Sequence, residues 1–519
     1  MIDPELFVRE HRRKEMKFWH RVGDSMHIKV YQLLNFLVCY LGACKVRIGE
    51  TTYLATKFKN KVEIVDIETL SQKLVKYVRS KFPDLKGVID RTDILDALVE
   101  KSITFYNKKI LNFLPIYDLP VNTDTKTTCE IPYQNVVVRV HKNLIKLIPY
   151  IDYKHNVLTN QINDRIFKLT SRIFESEFVK FTWNLAGHSP DRFKVLCCVI
   201  GYLSHRYKDP ANPKMIILID QVIGELEGAN GGSGKSLFIK SIGKIRNLIE
   251  VSGKKFQTNQ RFALQRVDIW TDVVLVNDAS KNENLENWYN ITADGLITER
   301  KYEKEQYISY EDSFKVAMTT NHMIKQPEGN SSERRKHEVE VSDYYGKELT
   351  PQQEFGHNLF NDWNEEEWNL FDNFIIYCVQ YYLQFGLLES PIININKRKL
   401  LSEVGVELVE FMDDKINTGI TKFHKKDTYD EFVKGGFINR KYIPQRNSFS
   451  RKLKKYFVYK ELNYTETPSD SRKYFELITD KKMNEITTQT IKDRVVKYHT
   501  VDTDNKLTRL ENNLKKLKQ

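Results

Sequence analysis

A chain of 519 residues is too long for one hydrophobic core, so several domains are expected. Hydrophobic content of 41% against 29% charged residues excludes a disordered chain, and a net charge of +12 favours a polyanionic partner, nucleic acid ahead of an acidic surface. The six cysteines (Cys39, Cys44, Cys129, Cys197, Cys198, Cys378) show no CxxC spacing and no Cys/His cluster, which gives no ground for a zinc site or disulfide framework and fits a reducing cytoplasm.

Residues 1–115 are expected to form an N-terminal domain without an assignable role. Met1 to Arg21 is charged and lacks an apolar signal core. Val30 to Val46 is interrupted by Gln32, Asn35 and Lys45, short of the ~20 apolar residues a membrane span requires, and reads as a buried helix. No membrane partner is expected. Lys61 to Val65 is β-rich. Turn-forming residues from Pro115 to Pro132 mark a boundary. Residues 116–204 are predicted as a helical connecting or collar region after one strand, Asn135 to Val140.

A β/α pattern occupies 205–345. Met215 to Ile219 and Val273 to Val276 are short continuous apolar runs, as expected for strands buried on both faces, and Phe314 to Met318 is a third. Intervening helical stretches predict a parallel sheet. A helical extension follows over 346–392. A basic module covers 393–480, and a charged tail 481–519.

After the first strand lies Gly228-Ala229-Asn230-Gly231-Gly232-Ser233-Gly234-Lys235-Ser236, followed by Leu237. Glycines let consecutive backbone N–H groups turn inward around an anion. Lys235 would neutralise β- and γ-phosphate oxygens, and Ser236 would give its hydroxyl to Mg²⁺. The strict pattern places glycine where this chain has Ala229. The second strand ends in Asn277-Asp278, where a carboxylate orients Mg²⁺ or accepts a proton from water. Asn277 cannot be a base, so Asp278 carries that role. The third ends in Thr319-Thr320-Asn321, whose amide can position water beside a γ-phosphate. Lys235, Asp278 and Asn321 follow at equal intervals of 43 residues. Arg334-Arg335 comes next, guanidinium being suited to charge on a transferring phosphoryl group. Each element alone has a bland reading as a turn or solvated basic pair; their order does not.

Together these residues resemble superfamily 3 helicases, the AAA+-related ring helicases of DNA viruses, phages and plasmids, with phage and poxvirus primase-helicases the nearest in kind. Asp294-Gly295-Leu296-Ile297-Thr298-Glu299-Arg300-Lys301, Glu354-Phe355-Gly356 and Asp362-Trp363-Asn364 extend the likeness. The resemblance implies an α/β AAA+-type P-loop ATPase core, with a mostly helical N-terminal region and a winged-helix-like basic module at the C-terminus. It implies ATP and Mg²⁺ as cofactors, a homo-oligomer (a hexamer), and single-stranded or forked DNA as partner, in the cytoplasm (of the host, for a virus or phage). The family usually has two acids where this chain has Asn277-Asp278.

Lys301 and Lys304 flank a predicted hairpin tip, between Leu296-Ile297-Thr298 and Tyr307-Ile308-Ser309-Tyr310, and would meet DNA phosphates. Primer synthesis is not expected: Asp66, Asp118 and Asp152 have no Asp-x-Asp companion, so a separate primase or polymerase would supply it. Between Glu431 and Lys460 stand nine Lys/Arg, one acid and seven aromatics. Phe449 to Phe457 is predicted as a helix with an aromatic face turned to a small core and a basic face, Arg451, Lys452, Lys454 and Lys455, turned to DNA. Two other readings share this pattern: an AAA+ initiator or loader that remodels DNA or proteins without translocating, and a DNA-binding scaffold with a decayed ATP site.

Overall fold

The computed structural model describes residues 17–23, 25–81, 91–102, 108–120, 123–221, 232–254, 264–280, 283, 285–286, 288–289, 295–298, 305–321, 334–391, 393–435, 443–467 and 473–478. The tail 481–519 lies outside them.

The N-terminal region is mixed rather than mostly helical. A hairpin, Trp19–Val22 with Ser25–Ile28, precedes a helix over Val30–Leu41. That helix is buried as expected, but it stops five residues short of Val46. Gly42 ends it at φ +66, where an added Cβ would lie 2.1 Å from the Lys57 carbonyl oxygen. Ala43–Ile48 then starts a five-stranded sheet, whose spatial order is Val157–Leu158, Lys61–Ile64, Thr51–Phe58, Ala43–Ile48, Ile116–Asp118. Helices Ile67–Lys81 and Arg91–Glu100 bury Leu70, Leu74 and Ile94 against Leu33, Phe36 and Leu37.

The stretch predicted as helical after Asn135–Val140 departs further. Thr128–Pro132, Val136–His141 and Leu144–Pro149 form an antiparallel sheet of three strands. After two 3-10 turns, Thr159–Gln161 and Ile173–Glu175, α-helices of this stretch begin with α1 (Glu177–Leu185) and α2 (Pro190–Ser204).

The central sheet matches its prediction. Its strands are β1 (Met215–Asp220), β2 (Leu248–Ser252), β3 (Val273–Asn277), β4 (Lys315–Thr320) and β5 (Lys336–Val341), all parallel in spatial order β2-β3-β4-β1-β5. Between β1 and β2 lies the short α3 (Lys235–Lys240). Because strand side chains alternate, the sheet divides two cores. Ile216, Leu218, Val273, Leu275 and Ala317 face α1, α2 and the long α4 (Glu365–Phe385). Met215, Ile217, Val274, Val276 and Met318 meet Trp288 and the N-terminal sheet through Cys44, Val46 and Ile48. Burial on both faces explains the uninterrupted apolar runs.

The C-terminal module runs helix Ile395–Val404, helix Val406–Asn417, strand Lys422–His424, helix Lys425–Lys434, α5 (Arg446–Tyr459), then strands Tyr464–Thr467 and Tyr474–Leu477. The last strand pairs antiparallel with both others. Phe432, Phe449, Leu453, Tyr456, Phe457 and Phe475 fill its core, so these aromatics serve packing. No helix among the described residues is long and apolar enough to cross a membrane, and all six cysteines are buried free thiols.

Candidate phosphate-binding site

In an open parallel sheet, ligands bind beyond the carboxyl ends of the strands. Here β1, β3 and β4 end there in Asp220, Asn277-Asp278 and Thr320-Asn321. β4 lies between the other two, which sets Asn321 centrally.

Gly228, Asn230 and Gly231 lie outside the described residues. The second half of the loop is described. Gly232 and Gly234 have φ of +103 and +87, in the region glycine favours, and a Cβ on Gly234 would stand 3.1 Å from Phe181 and Leu185 of α1. The tight approach seats the loop on the helical core. Leu237 packs into the same core. The helix that opens at Lys235 has six residues, so its dipole is a small resource for holding an anion. Lys235 and the backbone carry more.

Lys235 is buried. Its Nζ reaches Asp220 Oδ1 at 2.5 Å and donates to Asn321 Oδ1 at 2.8 Å and Ser233 Oγ at 2.9 Å. Lys235 and Asn321, 86 residues apart in sequence, are therefore in direct contact. Ser236 Oγ donates to Asn277 Oδ1 at 2.5 Å, an oxygen that also accepts from Thr319 Oγ1 at 3.0 Å. Asn277, not Asp278, is thus the strand-end group beside Ser236. Its Nδ2 donates to Glu250 Oε1 on β2, at 2.7 Å.

Asp278 stands at φ +58, with its N–H donating to Thr319 Oγ1 at 3.0 Å. Its carboxylate pairs with Lys254 at 2.6 Å and raises that ammonium's pKa above its ordinary value. Backbone at positive φ costs an aspartate energy, and such strain gathers at functional positions. Gly253 permits the arrangement: a Cβ there would lie 2.5 Å from the Ala279 Cα.

Arg334 and Arg335 are elsewhere. They immediately precede β5, whose first residue, Lys336, pairs with Met215, while its last, Val341, pairs with Asp220. Six residues at about 3.3 Å each put the arginines roughly 20 Å from the strand ends that hold Lys235. Arg334 is exposed, and the Arg335 guanidinium lies 5.3 Å from the Tyr289 ring centre.

That opposite end is also polar, but closed. Lys315 donates to the carbonyls of Tyr202 at 2.8 Å and His205 at 2.5 Å, and burial pushes its pKa down to about 7. His205 Nε2 lies 2.9 Å from the Thr125 carbonyl oxygen and 3.0 Å from that of Thr128; burial pushes this imidazole down to about 4. Arg246 pairs with Asp124 at 3.4 Å. Backbone carbonyls take up these groups, leaving a structural floor.

Of the predicted DNA contacts, the hairpin exists: Leu296–Thr298 pairs with Gln306–Ile308. Lys301 and Lys304 lie outside the described residues. On α5, Lys454 pairs with Glu466 at 2.6 Å, Lys455 with Glu403 at 3.0 Å, and Lys452 donates to the Val404 carbonyl at 2.9 Å. Arg451 is exposed. Glu354 and Asn364 have structural partners. Glu354 accepts from Tyr345 Oη at 2.5 Å and Asn184 Nδ2 at 2.9 Å, bracing α1, and Asn364 caps α4.

Sequence reasoning missed Asp220, Glu250 and Lys254. Asp220 carried a signal, as the acid ending an apolar strand. Glu250 and Lys254 carried none, because their partners arrive from another strand.

No protein-family model and no curated protein matches this sequence. Among solved structures it is similar to the apo C-terminal region of NrS-1, at 11% identity and a TM-score of 0.39 over 87% of this chain and 98% of that one. An A-form apo structure of that region gives 12% and 0.38, over 87% and 99%. Drosophila ORC bound to DNA is similar at 10% and a TM-score of 0.18, over 62% of this chain and 95% of that one. Likeness at this level identifies no family for the chain.

Proposed function

We propose that this protein is an ATP-dependent DNA helicase of viral, phage or plasmid replication, a superfamily 3 relative that works as a ring. The observation that carries the reading is the convergence of Lys235, Ser236, Asn277 and Asn321 beyond the carboxyl ends of adjacent parallel strands. The donor set fits a magnesium nucleotide. Hydroxyl and carboxamide oxygens at Ser236 and Asn277 suit a hard cation, and Lys235 suits phosphate. Ser236 and Asn277 would hold Mg²⁺, which would supply neutralisation of the triphosphate's negative charge.

The chain's own groups do the rest. Lys235 exchanges Asp220, Asn321 and Ser233 for phosphate oxygens. Asn321, so released, orients the attacking water. Asp278 accepts the water's proton as its oxygen bonds to the γ-phosphorus and the bond to the departing ADP oxygen breaks. Arg334 and Arg335, too far from their own loop, act on the loop of a neighbouring copy, which makes the active unit an oligomer. From helix Val406–Asn417 onward, the helix, strand, two-helix and hairpin order of the C-terminal module supports a winged-helix-like DNA-binding role, with Arg451 its most available cation.

The test is strand displacement from a forked duplex, with Lys235→Ala as control. ATP-dependent displacement lost in that variant is expected. DNA-stimulated ATP hydrolysis without displacement would sink the helicase reading and favour an AAA+ initiator or loader. No hydrolysis at all would favour a scaffold.

A further inference from the structure

Asn277 poses a chemical problem at this site. An aspartate offers a cation an oxygen whichever way it turns, whereas a carboxamide offers either an oxygen or an NH₂ donor. Only the oxygen can face a metal ion. Two of the amide's neighbours do not decide the matter. Ser236 Oγ and Thr319 Oγ1 lie 2.5 and 3.0 Å from Oδ1, but hydroxyls donate or accept by rotation and would tolerate either orientation. The third neighbour does decide it. The Glu250 side chain accepts from Nδ2 at 2.7 Å and so holds the NH₂ group on the far side.

Glu250 is built into this position. It lies on β2 two residues before Ser252, the register partner of Asn277, so both side chains project from one face of the sheet. Leu275 on that same face of β3 packs into the core beneath α3, the helix that carries Ser236. Lys240, also on α3, pairs with the other carboxylate oxygen at 2.9 Å and keeps the group from swinging away.

We propose that Glu250 is a positioning residue for the metal ion of this site. It fixes the Asn277 carboxamide with its oxygen toward Ser236. It also places a carboxylate, itself paired with Lys240, one layer behind the amide. Groups that orient metal ligands in this way typically change metal affinity by about 10- to 100-fold when removed. The inference rests on the magnesium-nucleotide reading and adds to it the group that orients Asn277.

The experiment measures Mn²⁺ binding by electron paramagnetic resonance, with a non-hydrolysable ATP analogue present, in the wild type, Glu250→Ala and Glu250→Gln. Nucleotide binding without metal and the thermal midpoint are followed in parallel. Glu250→Ala should weaken Mn²⁺ binding by roughly 10-fold or more while metal-free nucleotide binding stays at the wild-type level. Glu250→Gln, which keeps an acceptor but not the charge, should fall between. In an Asn277→Asp background, where no orientation is needed, Glu250→Ala should no longer weaken the metal. Wild-type Mn²⁺ affinity in Glu250→Ala, or an undiminished loss in the Asn277→Asp background, would overturn the inference alone. A wild-type protein that binds no nucleotide, with or without metal, would overturn the site reading and the inference with it.

Discussion

Lys235 and Lys455 each face a carboxylate, Asp220 at 2.5 Å and Glu403 at 3.0 Å, yet their side chains are 8% and 39% exposed. The first pair is enclosed by the loop and the strand ends, with Asn321 and Ser233 completing its contacts. Only a ligand offering several oxygens can replace that set. The second pair lies in water, where such contacts contribute about 0–1 kcal/mol and are lost to salt. A phosphate backbone could displace Glu403 at little cost. The same residue types, equally basic in sequence, are thus committed in the central sheet and exchangeable on α5.

The largest effect that bears on this contrast comes from the arginines. Arg335 is held over Tyr289, whereas Arg334 is exposed at the lower edge. Arg334→Ala should therefore lower the ATPase kcat more than Arg335→Ala, by about 10³-fold if it acts as a finger. On the proposed ring, mixing Arg334→Ala with Lys235→Ala protein should restore part of the activity, because some sites between copies would then be intact. Steady-state hydrolysis across mixing ratios measures this. A flat zero at every ratio would mean that the central charges do not act between copies.

Burial alone does not make a charge functional, and His205 tests that. It is as enclosed as Lys235 but spends its bonding on two carbonyls. Its folded pKa of about 4 lies below the ordinary 6.5. Between those values the unfolded chain binds a proton that the native chain refuses, so stability falls as pH falls from 6.5 to 4. Above 6.5 this contribution is constant. His205→Gln removes the titration, so the stability difference between wild type and variant should change by about 1.4 kcal/mol per pH unit within that window. Chemical unfolding at pH 7, 6 and 5 reads it. An unchanged difference would mean that His205 takes up its proton in the native floor.

The central sheet was legible because burial on both faces forces continuous apolar runs, as at Met215 to Ile219. The site was legible where one strand end carries its own chemistry, as at Asn321. Leu144–Pro149 was not. It is an exposed edge strand of sequence Leu-Ile-Lys-Leu-Ile-Pro, without the alternation that marks a half-buried strand. The N-terminal sheet was obscured by helices interleaved with its strands. Glu250 was invisible for a different reason: its meaning lies in the β2–β3 register, which no local pattern encodes. Lys452, Lys454 and Lys455 were over-read as one basic face, since a helical projection gives direction and not partners.

Arg451 and Lys452 give the finest resolution of the contrast, being adjacent on α5. Arg451 is exposed, while the Lys452 ammonium is fixed on the Val404 carbonyl at the end of helix Ile395–Val404. If α5 meets DNA through exchangeable charge, Arg451→Ala should reduce the slope of log affinity against log salt by about 1, with no change in melting. Lys452→Met should do the reverse. It removes a partly buried hydrogen bond and should cost about 1 kcal/mol of stability, while the salt slope stays that of the wild type. Fluorescence anisotropy with a forked duplex from 50 to 200 mM salt, beside thermal melts, separates the two. Equal slope changes would mean that Lys452 leaves Val404 for a phosphate, and that even this enclosed cation belongs to the exchangeable set. Unchanged slopes in both would move the DNA contact away from α5, toward the hairpin of the central unit.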